Sequence, residues 1–121
     1  VVSTNHSVNT DWVQFDTMTE TITGAGALSA LRRLTRLQTA SAGDVAITLA
    51  ALAGGSLSLD GFRRTIYMET KGGAGNYVLT PAALVGYTTI TFNTVGDAVD
   101  LVWCSGFAKW VIASNQGCTL A

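Results

Sequence analysis

The chain has 121 residues, of which 48 % are hydrophobic and only 12 % are charged, and its formal net charge is −1. This length suits one domain with its own core, and so small a net charge gives no electrostatic reason to expect a nucleic-acid partner. No stretch approaches the roughly 20 apolar residues of a membrane-spanning helix, so we expect no membrane partner either. Because few charged residues are available to cover the surface, we expect apolar patches that are buried in a larger assembly.

The chain begins with a polar segment that shows little periodicity. We interpret residues 1–18 as an extended arm that precedes a single β domain at 19–121. Trp12 and Phe15 are the candidate anchors of this arm, because buried aromatic side chains carry much of the binding energy in protein interfaces. Such an arm is either disordered or ordered by lying on a neighbouring subunit.

Short stretches in which apolar and polar residues alternate follow along the rest of the chain. This two-residue period, bounded by glycine-rich turns, is typical of half-buried β-strands. It predicts an all-β fold of about eight short strands, either an antiparallel sandwich or a small barrel. The predicted strands cover residues 18–23, 34–39, 45–50, 62–70, 77–80, 89–93, 98–103 and 110–112.

The segment 27–38 fits two structures, because leucines recur every three residues from Leu28 to Leu37. That spacing suits a short helix with arginines on its other side. It also suits a strand over 34–39. We favour the strand, since the rest of the chain has β character and glycines lie close on both sides.

Five of the seven basic residues fall in two short segments, 32–36 and 63–64. If these segments lie side by side, they form a basic patch on a weakly charged protein. Such a patch either protects a sheet edge from aggregation or binds an acidic partner subunit. Arg32, Arg33 and Arg36 are therefore candidate partner-binding residues.

Two loops are rich in glycine and other small residues. The loop at 51–61 carries Leu57 and Leu59, and since an apolar loop is poorly suited to bare water, we expect it to contact a partner. The segment 71–76, K-G-G-A-G-N, has glycines like a phosphate-binding loop, but its lysine precedes them and a strand follows. We interpret it as a hairpin turn.

The sequence contains no pattern that supports catalysis or metal binding. His6 is the single histidine, and no serine lies in a G-x-S-x-G motif, so neither a catalytic triad nor a zinc site is expected. Asp44, Asp60 and Asp97 each adjoin a glycine, which is typical of turns rather than of acid–base chemistry. We predict a protein that is not an enzyme and needs no cofactor.

The C-terminal part carries two tryptophans and both cysteines. Trp103 and Trp110 flank a predicted turn and are expected in a core or an interface, with a carbohydrate-stacking platform as the alternative. Cys104 and Cys118 are too few for a disulfide framework. We expect them as reduced thiols, although a bridge between them is geometrically possible.

The run T-I-T-F-N-T-V-G-D-A-V-D-L-V-W at 89–103, followed by K-W-V-I-A-S-N at 109–115, resembles a family of small virion proteins of tailed phages. The resemblance extends over about residues 19–115. Members of that family occur as capsid decoration (cement) proteins and as modules of tail fibres, and they carry no catalytic signature. The basic run at 31–37 departs from the family pattern.

The resemblance implies a structural role in the virion. The first expectation is a capsid decoration protein that bridges capsomers of the major capsid protein as a homotrimer, on the capsid surface after synthesis in the host cytoplasm. The alternative is a tail-fibre or head-fibre module that binds a host receptor or glycan. The expected interface residues are Trp12, Phe15, Arg32, Arg33, Arg36, Leu57 and Leu59.

Overall fold

The computed structural model describes residues 18–52 and 59–121, so Trp12, Phe15, Leu57 and nearly all of the expected arm lie outside the described residues. The described part of the chain is all-β, as predicted, and contains no helix that could cross a membrane. Its ten strands are β1 (Thr19–Ile22), β2 (Gly26–Ala27), β3 (Leu34–Thr39), β4 (Val45–Leu49), β5 (Arg63–Lys71), β6 (Tyr77–Pro81), β7 (Ile90–Phe92), β8 (Ala98–Cys104), β9 (Lys109–Gln116) and β10 (Thr119–Leu120).

The strands form two five-stranded sheets that pack face to face. Sheet A has the order β1-β3-β5-β8-β9, and sheet B has the order β10-β7-β6-β4-β2. The fold is therefore a sandwich and not a closed barrel. Segment 34–39 is a strand, so the helical alternative for this segment is wrong.

The first six strands alternate between the two sheets, and within each sheet they run parallel to one another. These six strands thus form a stack of three coils, where a coil is one strand of sheet A followed by one strand of sheet B. The coils are β1–β2, β3–β4 and β5–β6. The remaining strands pair antiparallel and close the sandwich. The expectation of a purely antiparallel sandwich is corrected here, because both kinds of strand show the same two-residue alternation.

The core between the sheets holds both tryptophans of the C-terminal part. Trp103 and Trp110 are fully buried and pack edge to face, with ring centroids 5.4 Å apart. The indole of Trp110 donates a hydrogen bond to the carbonyl oxygen of Ala50 at 3.1 Å. Core packing is therefore their role in this fold, and neither ring is available as a carbohydrate platform.

The turn at 72–76 stacks on the turn at 40–44 of the preceding coil. The amide of Gly72 donates to Thr39 O at 2.6 Å, and the amide of Gly75 donates to Ser41 O at 3.0 Å. This turn joins β5 in sheet A to β6 in sheet B, so the expected hairpin is wrong. Gly73 and Gly75 are needed because a side chain at either position would collide with the backbone of the neighbouring turn.

We expect Gly75→Ala to lower the free energy of unfolding by about 1–3 kcal/mol, because the new methyl group would collide with the carbonyl oxygen of Gly43. Gly106→Ala is the matched control, since no atom lies within 4 Å of the added carbon there, and its effect should stay within about 0.5 kcal/mol. Urea denaturation of both variants measures the difference. Equal stabilities would show that the two turns are not in contact.

Candidate functional site

The three arginines of the candidate segment lie at the start of β3 and just before it. The Arg33 guanidinium lies 5.5 Å from the centre of the Phe62 ring, and Arg36 Nε lies 3.6 Å from Glu69 Oε2. A cation over an aromatic ring and an exposed ion pair are each weak interactions. Both side chains therefore contact other residues of the domain. Because these interactions are weak, groups of a partner can replace them.

Arg64 does not join this surface, because its side chain is fully buried in the core. Its Nη2 donates to Glu20 Oε1 at 3.1 Å and to Thr35 Oγ1 at 2.7 Å, while Nη1 donates to Ser29 O at 2.7 Å. Thr35 Oγ1 also donates to Glu20 Oε1 at 3.1 Å. The prediction that five arginines form a surface patch is therefore wrong for Arg64.

The sequence did contain a signal for the burial of Arg64. In β5 this residue is in phase with Ile66 and Met68, which face the core. Burial lowers the pKa of the Arg64 guanidinium below its usual value, and the carboxylate of Glu20 opposes that effect. The group is thus an internal cross-link among β1, β3 and β5 rather than a binding residue.

Several polar side chains on the outer face of sheet A interact with Glu69. Gln38 Nε2 donates to its Oε1 at 2.6 Å, and the Tyr67 hydroxyl donates to its Oε2 at 2.9 Å. These hydrogen bonds, with help from Arg36, hold the pKa of the Glu69 carboxyl below its usual value. This face is therefore charged, hydrogen-bonded and well solvated.

A polar groove of about 450 Å³ lies on the same side of the sandwich. Asp100 accepts hydrogen bonds there from Thr65 Oγ1 at 2.5 Å and from Ser114 Oγ at 2.9 Å. Both carboxylate oxygens are engaged by hydroxyl groups across the β5–β8–β9 strands. Within residues 18–52 and 59–121, no group of three or more His, Cys, Asp or Glu residues could hold a metal ion.

The outer face of sheet B differs from that of sheet A, because the strands of sheet B contain no charged residue. Register places Thr48 beside Thr80, and Val78 beside Thr91 and then Thr119. We call this surface the uncharged face; its outward residues are Ala27, Ala46, Thr48, Val78, Thr80, Thr91 and Thr119. Small hydroxyl and methyl groups cost much less to remove from water than ionised groups do.

Leu59, the described member of the candidate apolar loop, is partly buried and packs against the core. Its carbonyl oxygen accepts a hydrogen bond from Phe62 N at 3.0 Å, which closes a tight turn before β5. The residue therefore contributes to the domain's own packing and exposes only part of its side chain to a partner.

The two cysteines are both free thiols in very different surroundings. Cys118 is buried, and burial together with the nearby Asp97 carboxylate raises the pKa of its thiol to about 12. Cys104 is only half-buried, at the end of β8. Because the thiolate is the nucleophile, this raised pKa makes the Cys118 thiol unreactive at neutral pH.

No family model matches the chain, and no curated protein matches it. Function is therefore inferred from the surfaces described above and from the resemblance at 89–103.

We expect Glu20→Gln to destabilise the protein by about 3 kcal/mol, because it leaves the buried Arg64 cation without its counter-charge. Glu69→Gln is the matched control, since it removes the carboxylate of an exposed ion pair, and its effect should be much smaller. Equilibrium unfolding in urea at pH 7 measures both. If the two losses are equal, the Glu20–Arg64 pair does not hold the strands together.

We expect a thiol reagent at pH 8 to modify Cys104 in the native protein and to leave Cys118 unmodified, because burial suppresses the Cys118 thiolate. Both should react after unfolding. Mass spectrometry of the labelled peptides counts the modified sites, and rapid native labelling of Cys118 would contradict its burial.

Proposed function

We propose that this protein is a non-enzymatic structural component of a phage virion, a decoration protein that bridges capsomers of the major capsid protein as a homotrimer. The observation that carries the proposal is the uncharged face of sheet B. A surface of threonine, alanine and valine suits burial against another protein, since no ion has to be desolvated. The resemblance at 89–103 supports a virion role.

The size of the uncharged face supports an assembly with several copies. The five strands of sheet B contain 17 residues in all, so at about 3.3 Å per residue and about 4.8 Å between strands they cover on the order of 270 Å². A stable complex needs about 800 Å² per partner, so one copy offers too little surface. Three copies held together would offer about 800 Å², which reaches the size of a stable interface.

A second candidate function is a tail-fibre or head-fibre module that binds a host receptor or glycan. The coil arrangement of β1–β6 favours it, because β1 and β2 are edge strands of the two sheets. Further parallel coils can be added next to β1 and β2 without changing the architecture, as in a fibrous shaft. The two candidates differ in copy number, since a decoration protein occupies many equivalent lattice positions.

Quantitative mass spectrometry of intact virions, from the phage whose genome encodes the chain, separates the two candidates. We expect hundreds of copies per particle, comparable to the number of capsomers. A copy number close to that of a tail component would contradict the decoration role and favour the fibre module.

We expect Thr48→Lys to weaken binding to purified capsids at least tenfold, because it places an ammonium group on the uncharged face. Thr21→Lys makes the same change at an exposed position of β1 in sheet A and should bind like the unmodified chain. Cosedimentation with capsids that lack the protein measures both affinities. Equal binding by the two variants would show that the uncharged face does not meet the capsid.

A further inference from the structure

An apolar groove lies where the β8–β9 turn meets the segment between β6 and β7. It is shallow, encloses about 380 Å³, and is lined by Val85, Phe107 and Lys109. Phe107 is 67 % exposed and Val85 is 40 % exposed. Large apolar side chains held in water beside one cation are a common feature of protein interaction sites.

The backbone on both sides of this groove is strained. Ala83 and Ala108 have φ angles of 57° and 54°, and within the described residues they are the non-glycine positions with positive φ. The left-handed region costs an alanine roughly 1 kcal/mol or more. Strain of this kind persists only where the surrounding structure enforces it, and it concentrates at functional sites.

Backbone hydrogen bonds of Trp110 connect the two strained segments. Its amide donates to Ala83 O at 2.8 Å, and its carbonyl oxygen accepts from Val85 N at 2.9 Å. Trp110 itself is fully buried. The walls of the groove are therefore anchored in the core, so Val85 and Phe107 are held outward by a fixed backbone.

We propose that this groove binds residues 11–16, D-W-V-Q-F-D, of a second copy of the chain. The segment pairs two large aromatic residues, Trp12 and Phe15, with a carboxylate at each end. An aromatic side chain fits against Val85 and Phe107, and a flanking aspartate complements Lys109. The inference rests on the proposed function for its premise that copies associate, and it assigns copy-to-copy contacts to the groove and capsid contacts to the uncharged face.

Chain length excludes the groove of the same copy. β1 and β9 are the two edges of sheet A, four strand spacings or about 19 Å apart. Register brings Thr19 level with Ser114 of β9. Lys109 lies five residues before Ser114, about 16 Å along the strand. The groove is thus about 25 Å from the start of β1.

Phe15 cannot cross that distance. It lies four residues before Thr19, which allows at most about 14 Å of extended chain. Trp12 lies seven residues before Thr19, which allows about 25 Å only along a fully straight path. Since a straight path is closed to a chain that must follow the surface of the domain, the occupied groove belongs to a neighbouring copy.

The first test is the assembly state of the full chain by analytical ultracentrifugation. We expect Trp12→Ala and Phe107→Ala each to raise the dissociation constant of the oligomer at least tenfold. Val95→Ala is the matched control, because Val95 is also an exposed apolar residue, at 56 %, in a different turn, and it should leave assembly unchanged. A monomeric unmodified chain at high micromolar concentration, or equal effects of Val95→Ala and Phe107→Ala, would overturn the proposal.

Charge reversal tests the polar part of the contact. Lys109→Glu should weaken the oligomer, and adding Asp11→Lys and Asp16→Lys in the same chain should restore it. Failure of the restored variant to associate, with folding confirmed by its unfolding transition, would contradict the pairing of Lys109 with the acidic ends of the segment.

Cross-linking distinguishes a neighbouring copy from the same copy. Cys104 pairs with Lys109 across the β8–β9 hairpin, so it lies beside the groove. In Gln14→Cys, mild oxidation should form a bridge to Cys104 of another copy and give covalent dimers and higher species on a non-reducing gel. A bridge within single chains would overturn the proposal.

Two variants distinguish a failure of the groove proposal from a failure of the proposed capsid binding. The Thr48→Lys variant should still form the oligomer but bind capsids weakly. The Phe107→Ala variant should lose the ability to form the oligomer first. A chain that forms oligomers through the groove but never binds capsids would retain this inference and contradict the decoration function.

Discussion

The buried Arg64 guanidinium is the constraint on which the stack of coils depends. A cation in an apolar core must keep its counter-charge and its acceptors, because each lost partner leaves an uncompensated polar group. Its partners are Glu20 on β1, Ser29 before β3 and Thr35 on β3. These contacts reach across three parallel strands, so a slip of either neighbour by one residue would break them and turn apolar side chains outward. The guanidinium therefore helps to fix the pairing register of β1, β3 and β5.

Most of the strands could be predicted from the alternation of apolar and polar residues in the sequence. Val45, Ile47 and Leu49, or Val99, Leu101 and Trp103, alternate with outward residues as a half-buried strand requires, and they do form strands. The direction of pairing could not be predicted, because parallel and antiparallel strands share that period. The coils also have unequal lengths: Thr19 pairs with Leu34 and Leu34 with Thr65, so no sequence repeat is visible. β2 and β10 have two residues each, too few for a periodic signal.

The surfaces were harder to predict than the strands, since they depend on which strands become neighbours. Arg64 follows Arg63 in sequence, yet one points into the core and the other into solvent. The uncharged face appears only when β4, β6 and β7 are placed side by side, because each strand alone shows just one or two small outward residues. The groove likewise joins residues 85 and 107 through the backbone of Trp110, a contact with no local signature.

The choice of alanine at the groove is informative because this chain uses glycine elsewhere. Within the described residues, the other positions with positive φ are Gly26, Gly61, Gly86, Gly96 and Gly117, where the left-handed conformation carries no penalty. Glycine at 83 or 108 would relieve the strain, but it would also widen the range of backbone conformations open to each turn. The hydrogen bonds of Trp110 hold Ala83 and Val85, and Phe107 and Ala108 donate to Cys104 O and Ser105 O, so alanine at 83 and 108 keeps Val85 and Phe107 in one arrangement. A preorganised surface loses less conformational entropy on binding than a surface that has to be ordered first.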